Sequence, residues 1–180
     1  MSVMARTGDP DLACPSPDVP VDLPTERADE VCWLNADERE TWQALHLLLA
    51  KLPSALSAQL QRDSDLSFVE YYVLAGLSDQ PDHTLRMSNL AALANSELSR
   101  LSPLMSRLEK RGFVRREADP ADGRFTNAIL TSQGLDHLTH AAPAHVTTVR
   151  NLIFDILSPT QQHALRTAAR AINAQIGGPC

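Results

Sequence analysis

The sequence predicts a mainly α-helical fold with a small β-hairpin, and three observations carry that expectation. Apolar residues recur at three- and four-residue steps over most of the chain beyond residue 35. Two short β-type runs, Phe113 to Glu117 and Phe125 to Thr131, flank a charged, turn-rich loop that contains Asp122-Gly123. Just before them lie two short helical patterns separated by Asn95-Ser96. Helix, tight turn, helix and ribbon in that order make a winged helix-turn-helix over residues 85–131.

A chain of 180 residues suffices for one domain with an arm. Residues 1–32 read as that arm, flexible, Pro-rich and acidic. Pro10, Pro15, Pro17, Pro20 and Pro24 lie among Asp9, Asp11, Asp18, Asp22 and Glu26, with few large apolar residues to offset the entropy of ordering. The expected location is cytoplasmic, with no membrane partner: there is no apolar core of a secretory signal, and no run approaches the roughly 18 apolar residues of a membrane span. Cys14, Cys32 and Cys180 form no CxxC pair, so they are expected as free thiols in a reducing compartment.

A first helix is expected from Ala36 to about Leu60. Asn35 is its N-cap and Glu38, three residues on, completes a capping box. Trp42, Leu45, Leu49, Leu52 and Leu56 share one face, and Pro53 should bend it. A second helix begins at Ser67 with Glu70 as partner, burying Phe68, Tyr72, Val73, Gly76 and Leu77. Asp79 to Thr84 is a turn, and Leu85 to Met87 a short third strand beside the hairpin.

The next helix should start at Ser88 as N-cap and bury Leu90, Leu93 and Ala94, until Asn95 and Ser96 break it through side chains that compete for backbone hydrogen bonds. Leu98, Leu101, Leu104, Met105 and Leu108 then mark one face of the following helix. Gly112 stops it after Lys110 and Arg111, cations that suit the negative end of a helix dipole. At about 100° per residue, Ser99, Pro103, Ser106 and Lys110 fall opposite the leucines, with Arg100, Ser102 and Arg107 flanking them. Hydroxyls, one compact apolar ring and long cations suit a DNA major groove, where hydroxyls and arginines reach base edges. Pro103 lacks an N–H and collides with the carbonyl four residues back, which predicts a late start or a bend. Taken alone, such a helix is more often a solvated face over a core. The hairpin favours DNA, since Asp122 and Gly123 structure a loop that leaves Arg124 to project into a narrow minor groove.

The formal charge of −6 does not oppose this. Residues 1–40 hold three arginines against ten acidic residues and account for the whole deficit, while Arg86 to Arg124 holds eight basic residues and five acidic ones. Arg86, Arg100, Arg107, Lys110, Arg115 and Arg116 are candidate phosphate partners.

Asp122, Arg124, Leu130 and Thr131, with five residues between Arg124 and Leu130, match the DxRxxxxxLT signature of the MarR (multiple antibiotic resistance regulator) family of bacterial transcription regulators. Arg107-Leu108-Glu109-Lys110-Arg111-Gly112-Phe113-Val114 also resembles that family. By element order the resemblance extends over roughly residues 33 to 176. It implies a MarR-like domain at 33–180, a homodimer held by helices from 33–62 and 132–176, and binding of palindromic double-stranded DNA through the second helix and wing.

The remaining helices fit that architecture. One of about 25 residues can run from Thr131 to Leu157, with Leu135, Leu138, Ala142, Val146, Val149, Ile153 and Ile156 at helical spacing and a kink at Pro143. Ser158-Pro159-Thr160-Gln161 starts another that carries Leu165, Ala168, Ile172 and Ile176 before Gly177 and Gly178. These helices have more apolar positions than a small helix-turn-helix can cover, which a dimer interface explains. Relatives bind aromatic effectors between the first, second and fifth helices. The resemblance thus implies a pocket for a small aromatic or phenolic effector lined by Trp42, His46, Phe68, Tyr71 and Tyr72, residues that plain core packing would also explain.

No GxSxG, glycine-rich phosphate loop or HExxH occurs, so no catalytic residue and no enzyme activity is expected. His137 and His140, with His145 further on, have a spacing that can hold a metal, but surface or interface histidines are the commoner case and no metal or cofactor is expected. The reading is a ligand-responsive repressor; the alternative is a winged-helix protein-protein interaction module without DNA binding.

Overall fold

Side-chain caps decide where the first helices begin in the computed structural model, which describes residues 31–176. Helix α1 (Ala36–Ser64) starts where Asn35 Oδ1 accepts from the Glu38 amide at 2.9 Å and Glu38 Oε2 accepts from the Asn35 amide at 2.8 Å. It continues past Pro53 and four residues beyond the expected end, until Asp65 turns left-handed at φ 52°.

The chain divides into two units, residues 1–50 and 51–180. In the first, Trp42 and Leu49 of the predicted apolar face are exposed, and Leu45 is half-buried. In the second, Leu52 is half-buried and Leu56 and Leu60 are buried. Helical periodicity marks the apolar face of a helix without showing whether the same chain covers it. Cys32 is disulfide-bonded, which corrects the expected free thiol. Pairing depends on how sulfurs meet in space, and sequence spacing alone does not show that. Cys14, Cys180, Gly177, Gly178 and almost all of the predicted arm lie outside the described residues.

Helix α2 (Phe68–Ser78) begins with the predicted capping box: Ser67 Oγ accepts from the Glu70 amide and Glu70 Oε2 from the Ser67 amide. Val73, Leu74, Gly76 and Leu77 are buried, whereas Tyr72, expected inside, is exposed. A 3₁₀ turn at Pro81–His83 leads to strand β1 (Thr84–Arg86), one residue earlier than predicted, and directly into α3 (Met87–Leu93). Ser88 is not the N-cap of α3. Arg86 holds that position without a side-chain cap, because it is paired with Asn127 in the sheet and the strand itself sets the entry of the helix. Met87, Leu90 and Ala91 are buried, while Leu93 lies partly exposed over Gly76.

Helix α4 (Leu98–Lys110), β2 (Val114–Ala118) and β3 (Thr126–Leu130) follow. The antiparallel sheet has the order β1-β3-β2, with Val114 opposite Leu130 and Ala118 opposite Thr126. Helix α5 (Ser132–Val149) passes Pro143 as continuous helix, and its irregularity falls instead at a π-helical turn, Arg150–Phe154. Its buried face is Gly134, Leu138, Ala141 and His145, one step round from Ala142 and Val146 of the predicted apolar spacing, and Val146 stays outside. Helix α6 (Pro159–Ile176) begins where Ser158 Oγ accepts from the Gln161 amide at 3.3 Å, and it buries no residue. The core of the second unit joins Leu60, Leu66, Val73, Leu74, Leu77, Leu90, Leu101, Met105, Leu108, Val114 and Leu130.

Candidate nucleic-acid interface

Opposite faces of α4 have opposite fates. Leu101, Leu104, Met105 and Leu108 are buried; Ser99, Arg100, Pro103, Arg107 and Lys110 are exposed, with Ser102 and Ser106 half-buried. Leu98, predicted with the leucine face, is 49% exposed. The helix starts at Leu98 and runs through Pro103, so the predicted late start does not occur. One missing N–H is outweighed here by the buried residues on the other side, Leu101, Leu104 and Met105. At the far end Gly112, at φ 76°, donates to Glu109 O at 2.9 Å while Phe113 donates to Leu108 O at 3.0 Å. That bond pair is a Schellman stop, sealed by the buried Leu108 and Phe113 side chains.

The polar face is not uniformly free. Ser99 Oγ donates to Glu97 at 3.3 Å. Ser106 Oγ donates to Ser102 O at 3.1 Å and accepts from Arg116 Nη2 at 3.1 Å. Arg107 leans toward α2, 3.5 Å from the buried capping-box carboxylate of Glu70. Arg100 and Lys110 make no ion pair among the described residues and point their full charge outward.

The wing loop is ordered by two aspartates. Asp119 is buried; its Oδ1 accepts from the Ala121 amide at 2.9 Å and its Oδ2 from Arg86 Nε at 2.9 Å. The Ala121 amide first, and then Arg86, hold its carboxyl below the usual carboxylate range. Arg86 also lies 4.6 Å over the Phe125 ring. Asp122 grips Arg124 in a fork, Oδ1 to Nε at 2.9 Å and Oδ2 to Nη2 at 2.6 Å, which lowers the carboxyl and raises the guanidinium. The Arg124 side chain remains 85% exposed. Gly123, expected to structure the loop, has neither a positive φ nor any atom within 4 Å of where a Cβ would sit, so order comes from the aspartates. Asp119 was missed in sequence because its partner is 33 residues away; only its place before proline in a turn hinted at a local bond.

Leu130 is buried, and Thr131 Oγ1 donates to Gly112 O at 2.6 Å and accepts from the Gly134 amide at 3.0 Å. The end of the wing therefore ties the end of α4 to the start of α5. Between α4 and the wing lies a cleft of about 250 Å³ whose lining includes Ser102, Phe125, Arg86, Arg116 and Arg124. Each of the three arginines faces its own carboxylate: Asp119, Glu109 and Asp122 respectively.

Of the aromatic set, Phe68 and Tyr72 lie 5.4 Å apart, and Tyr71 packs 4.3 Å from His145. His145, buried, meets Gln59 Oε1 at 3.1 Å; burial lowers its pKa and raises that of the Tyr71 hydroxyl. Neither Gln59 nor His145 stood out in the sequence as part of this cluster. Phe68 and Tyr72 also line an apolar hollow of about 230 Å³ with Leu93 and Asn95. In the first unit Trp42 and His46 have ring centres 6.1 Å apart. His137 Nε2 contacts Ser64 O at 2.9 Å, and His140 Nδ1 contacts Asp136 O at 2.7 Å. Among the described residues no three His, Cys, Asp or Glu side chains gather as a metal would need.

Two helices joined by a tight turn, the second exposed along a polar face beside a β-ribbon tipped with arginine, define a winged helix-turn-helix protein. Residues 66–126 match the model of the MarR family. The chain is 41% identical to Sco3205 of Streptomyces coelicolor, a MarR family transcriptional regulator solved in complex with DNA, over 82% of this chain and 92% of that one, with a TM-score of 0.79. With AbsC, another MarR family transcriptional regulator of Streptomyces coelicolor, it shares 32% identity over 83% of this chain and 100% of that one, also at a TM-score of 0.79. A curated relative, the transcriptional regulator HosA of Escherichia coli, is 37% identical over 79 residues; the match covers 44% of this chain and 57% of HosA. The chain belongs to the MarR family, a family of transcriptional regulators and not of enzymes. No described helix is long and apolar enough to cross a membrane.

Proposed function

We propose that this protein is a homodimeric, cytoplasmic repressor that binds a palindromic double-stranded operator and is released by a small aromatic or phenolic effector. The observation that carries the DNA-binding part is the exposed polar face of α4 standing beside the arginine-tipped wing. A face of serines, Arg100, Pro103 and Lys110 fits a major groove while Arg124 reaches the adjoining minor groove.

Dimerisation is supported by apolar side chains that the second unit leaves outside: Leu152 and Phe154 at the π-helical turn, Ile156 just after it, and Leu165, Ile172 and Ile176 on α6. A two-fold interface built from these faces would present two recognition helices to the two halves of a palindrome. The aromatic cluster around Phe68, Tyr71 and Tyr72 supports an aromatic effector, acting by stabilising whichever dimer geometry it binds better.

Selection of bound sequences from a random duplex pool, with sedimentation of the free protein, tests the reading. Enrichment of a palindrome by a dimer is the expected result. A pool that stays random would reject DNA-sequence recognition, and a monomer would reject the two-fold arrangement.

A further inference from the structure

Arg116 looks like a phosphate-binding cation in the sequence, yet its amide, Nε and Nη2 donate within the protein. Its backbone amide donates to Glu109 Oε1 at 3.1 Å, and its Nε and Nη2 donate to Glu109 Oε2 at 3.1 and 2.6 Å. Nη2 also donates to Ser106 Oγ at 3.1 Å, and that hydroxyl donates on to Ser102 O at 3.1 Å. Among the described residues these are the only side-chain hydrogen bonds between α4 and the hairpin. The other ties of the wing hold its base, through Thr131 and Gly112, and its loop, through Asp119 and Arg86.

We infer that the Glu109–Arg116 fork is a bolt that sets the angle between wing and recognition helix, so that Glu109 and Arg116 are positioning residues for reading the two grooves together. The inference rests on the DNA-binding reading proposed above. Its reasoning is mechanical. Strand β2 leaves α4 through a turn at Gly112, and a strand hinged at such a turn swings unless something fixes it further along. Sheet pairing and the Asp119–Arg86 tie hold the ribbon together, and among the described residues Arg116 alone fastens it by side chain to α4 itself. Beyond Arg116 the ribbon extends on the order of 10 to 15 Å to its tip at about 3.3 Å per residue, so a swing of about 10° displaces Arg124 by roughly 2 Å, enough to lose a hydrogen bond. A fork is needed because a planar guanidinium fixes direction as well as distance, which the single charge of a lysine does not.

The test uses the full chain, a duplex selected from the random pool, and the variants Glu109→Gln, Arg116→Met and Arg116→Lys. Glu109→Gln and Arg116→Met should weaken binding roughly tenfold. They should flatten base preference at wing-contacted positions, preserve it at helix-contacted positions, and leave the salt dependence of binding at the parental slope. Amide hydrogen exchange in β2 and β3 of the free protein should quicken in both. Arg116→Lys should not rescue the wing preference, since it restores charge without the fork.

A salt slope lower by about one per subunit in Arg116→Met, with base preference intact, would make Arg116 a phosphate contact and overturn the inference. If Arg116→Met does not fold, Glu109→Gln alone carries the test: loss of wing preference supports the bolt, and an unchanged profile overturns it. Hydrogen exchange is measured without DNA, so parental exchange rates in Glu109→Gln reject the bolt whatever the fate of the DNA-binding reading. A parent chain that enriches no sequence would instead reject that reading.

Discussion

Gly134→Ala is a sharp test of how the wing is joined to α5, because helix propensity and packing predict opposite signs. Alanine in place of glycine inside a helix stabilises by about 0.5 to 1 kcal/mol when the site is open. Here a Cβ would lie 2.1 Å from Phe113 O, 2.9 Å from Phe113 C and 2.8 Å from Leu130 Cδ1. Ordinary contact begins above 3 Å, so backbone must move by on the order of 1 Å; overpacking of this kind costs about 1 to 3 kcal/mol. The carbonyl that must move also accepts from the Thr131 amide at 3.0 Å, and a bond lost there adds about 1 kcal/mol. The net expectation, after the propensity gain is subtracted, is a destabilisation of roughly 1 to 3.5 kcal/mol, read as a fall in Tm of about 2 to 14 °C for a chain of this size. Gly112→Ala should cost less, about 1 to 2 kcal/mol for a left-handed residue, because its close neighbour is the movable Gln133 side chain. Gly123→Ala, with open space around it, should be neutral. Thermal and urea unfolding of the three variants gives the order directly. A Gly134→Ala protein as stable as the parent would refute the close approach.

Four further outcomes are expected. Arg124→Ala should weaken operator binding roughly tenfold to a hundredfold at unchanged Tm, and Asp122→Ala should weaken it less, because the guanidinium survives without its guide; equal binding by Arg124→Ala and parent would remove the wing from recognition. Alanine at both Arg100 and Lys110 should lower the salt slope by about two per subunit while Arg86→Ala leaves it unchanged; titrations at several salt concentrations decide. Ile156→Asp, at a side chain 70% exposed, should keep the fold but separate the subunits, since each aliphatic contact contributes about 1.5 to 3 kcal/mol and two-fold symmetry counts it twice; a dimer in sedimentation would contradict this. Glu109, Asp119 and Asp122 all have lowered pKa values in the fold, by Arg116, by the Ala121 amide with Arg86, and by Arg124. Their stabilising effect is therefore full above the ordinary carboxylate value of about 4 and is lost as pH falls through the lowered ones. Amide shifts of Ala121 and Arg124 should titrate in that acid range, and flat shifts down to pH 2 would count against the pairing.

What the sequence made legible was local. Asn35 with Glu38, Ser67 with Glu70, and Gly112 after α4 work within one helical turn, and the structure places each as expected. The β-type runs, the turn residues between them and the helical spacing after Thr131 placed the hairpin, its third strand and α5 in the right order. Long-range choices were not legible. Ser88 had the chemistry of a cap, but pairing of Arg86 with Asn127 set the helix start instead. The buried face of α5 followed from how closely Gly134 lets the helix approach, which no periodicity records. At the candidate interface, charge counting treated six basic residues alike, although Arg86, Arg107, Arg115 and Arg116 each meet a carboxylate and Arg100 and Lys110 do not.

The pairing of each cleft arginine with its own carboxylate has a consequence for how such a protein would search a genome. Beyond a Debye length of about 8 Å a paired arginine shows a dipole and not a charge. Long-range attraction to arbitrary DNA then rests on Arg100 and Lys110, and the cleft arginines add little to steering or to scanning along non-cognate duplex. Discrimination must come from how long the protein stays once both grooves are engaged, so a cognate site would be distinguished by slow departure more than by fast arrival.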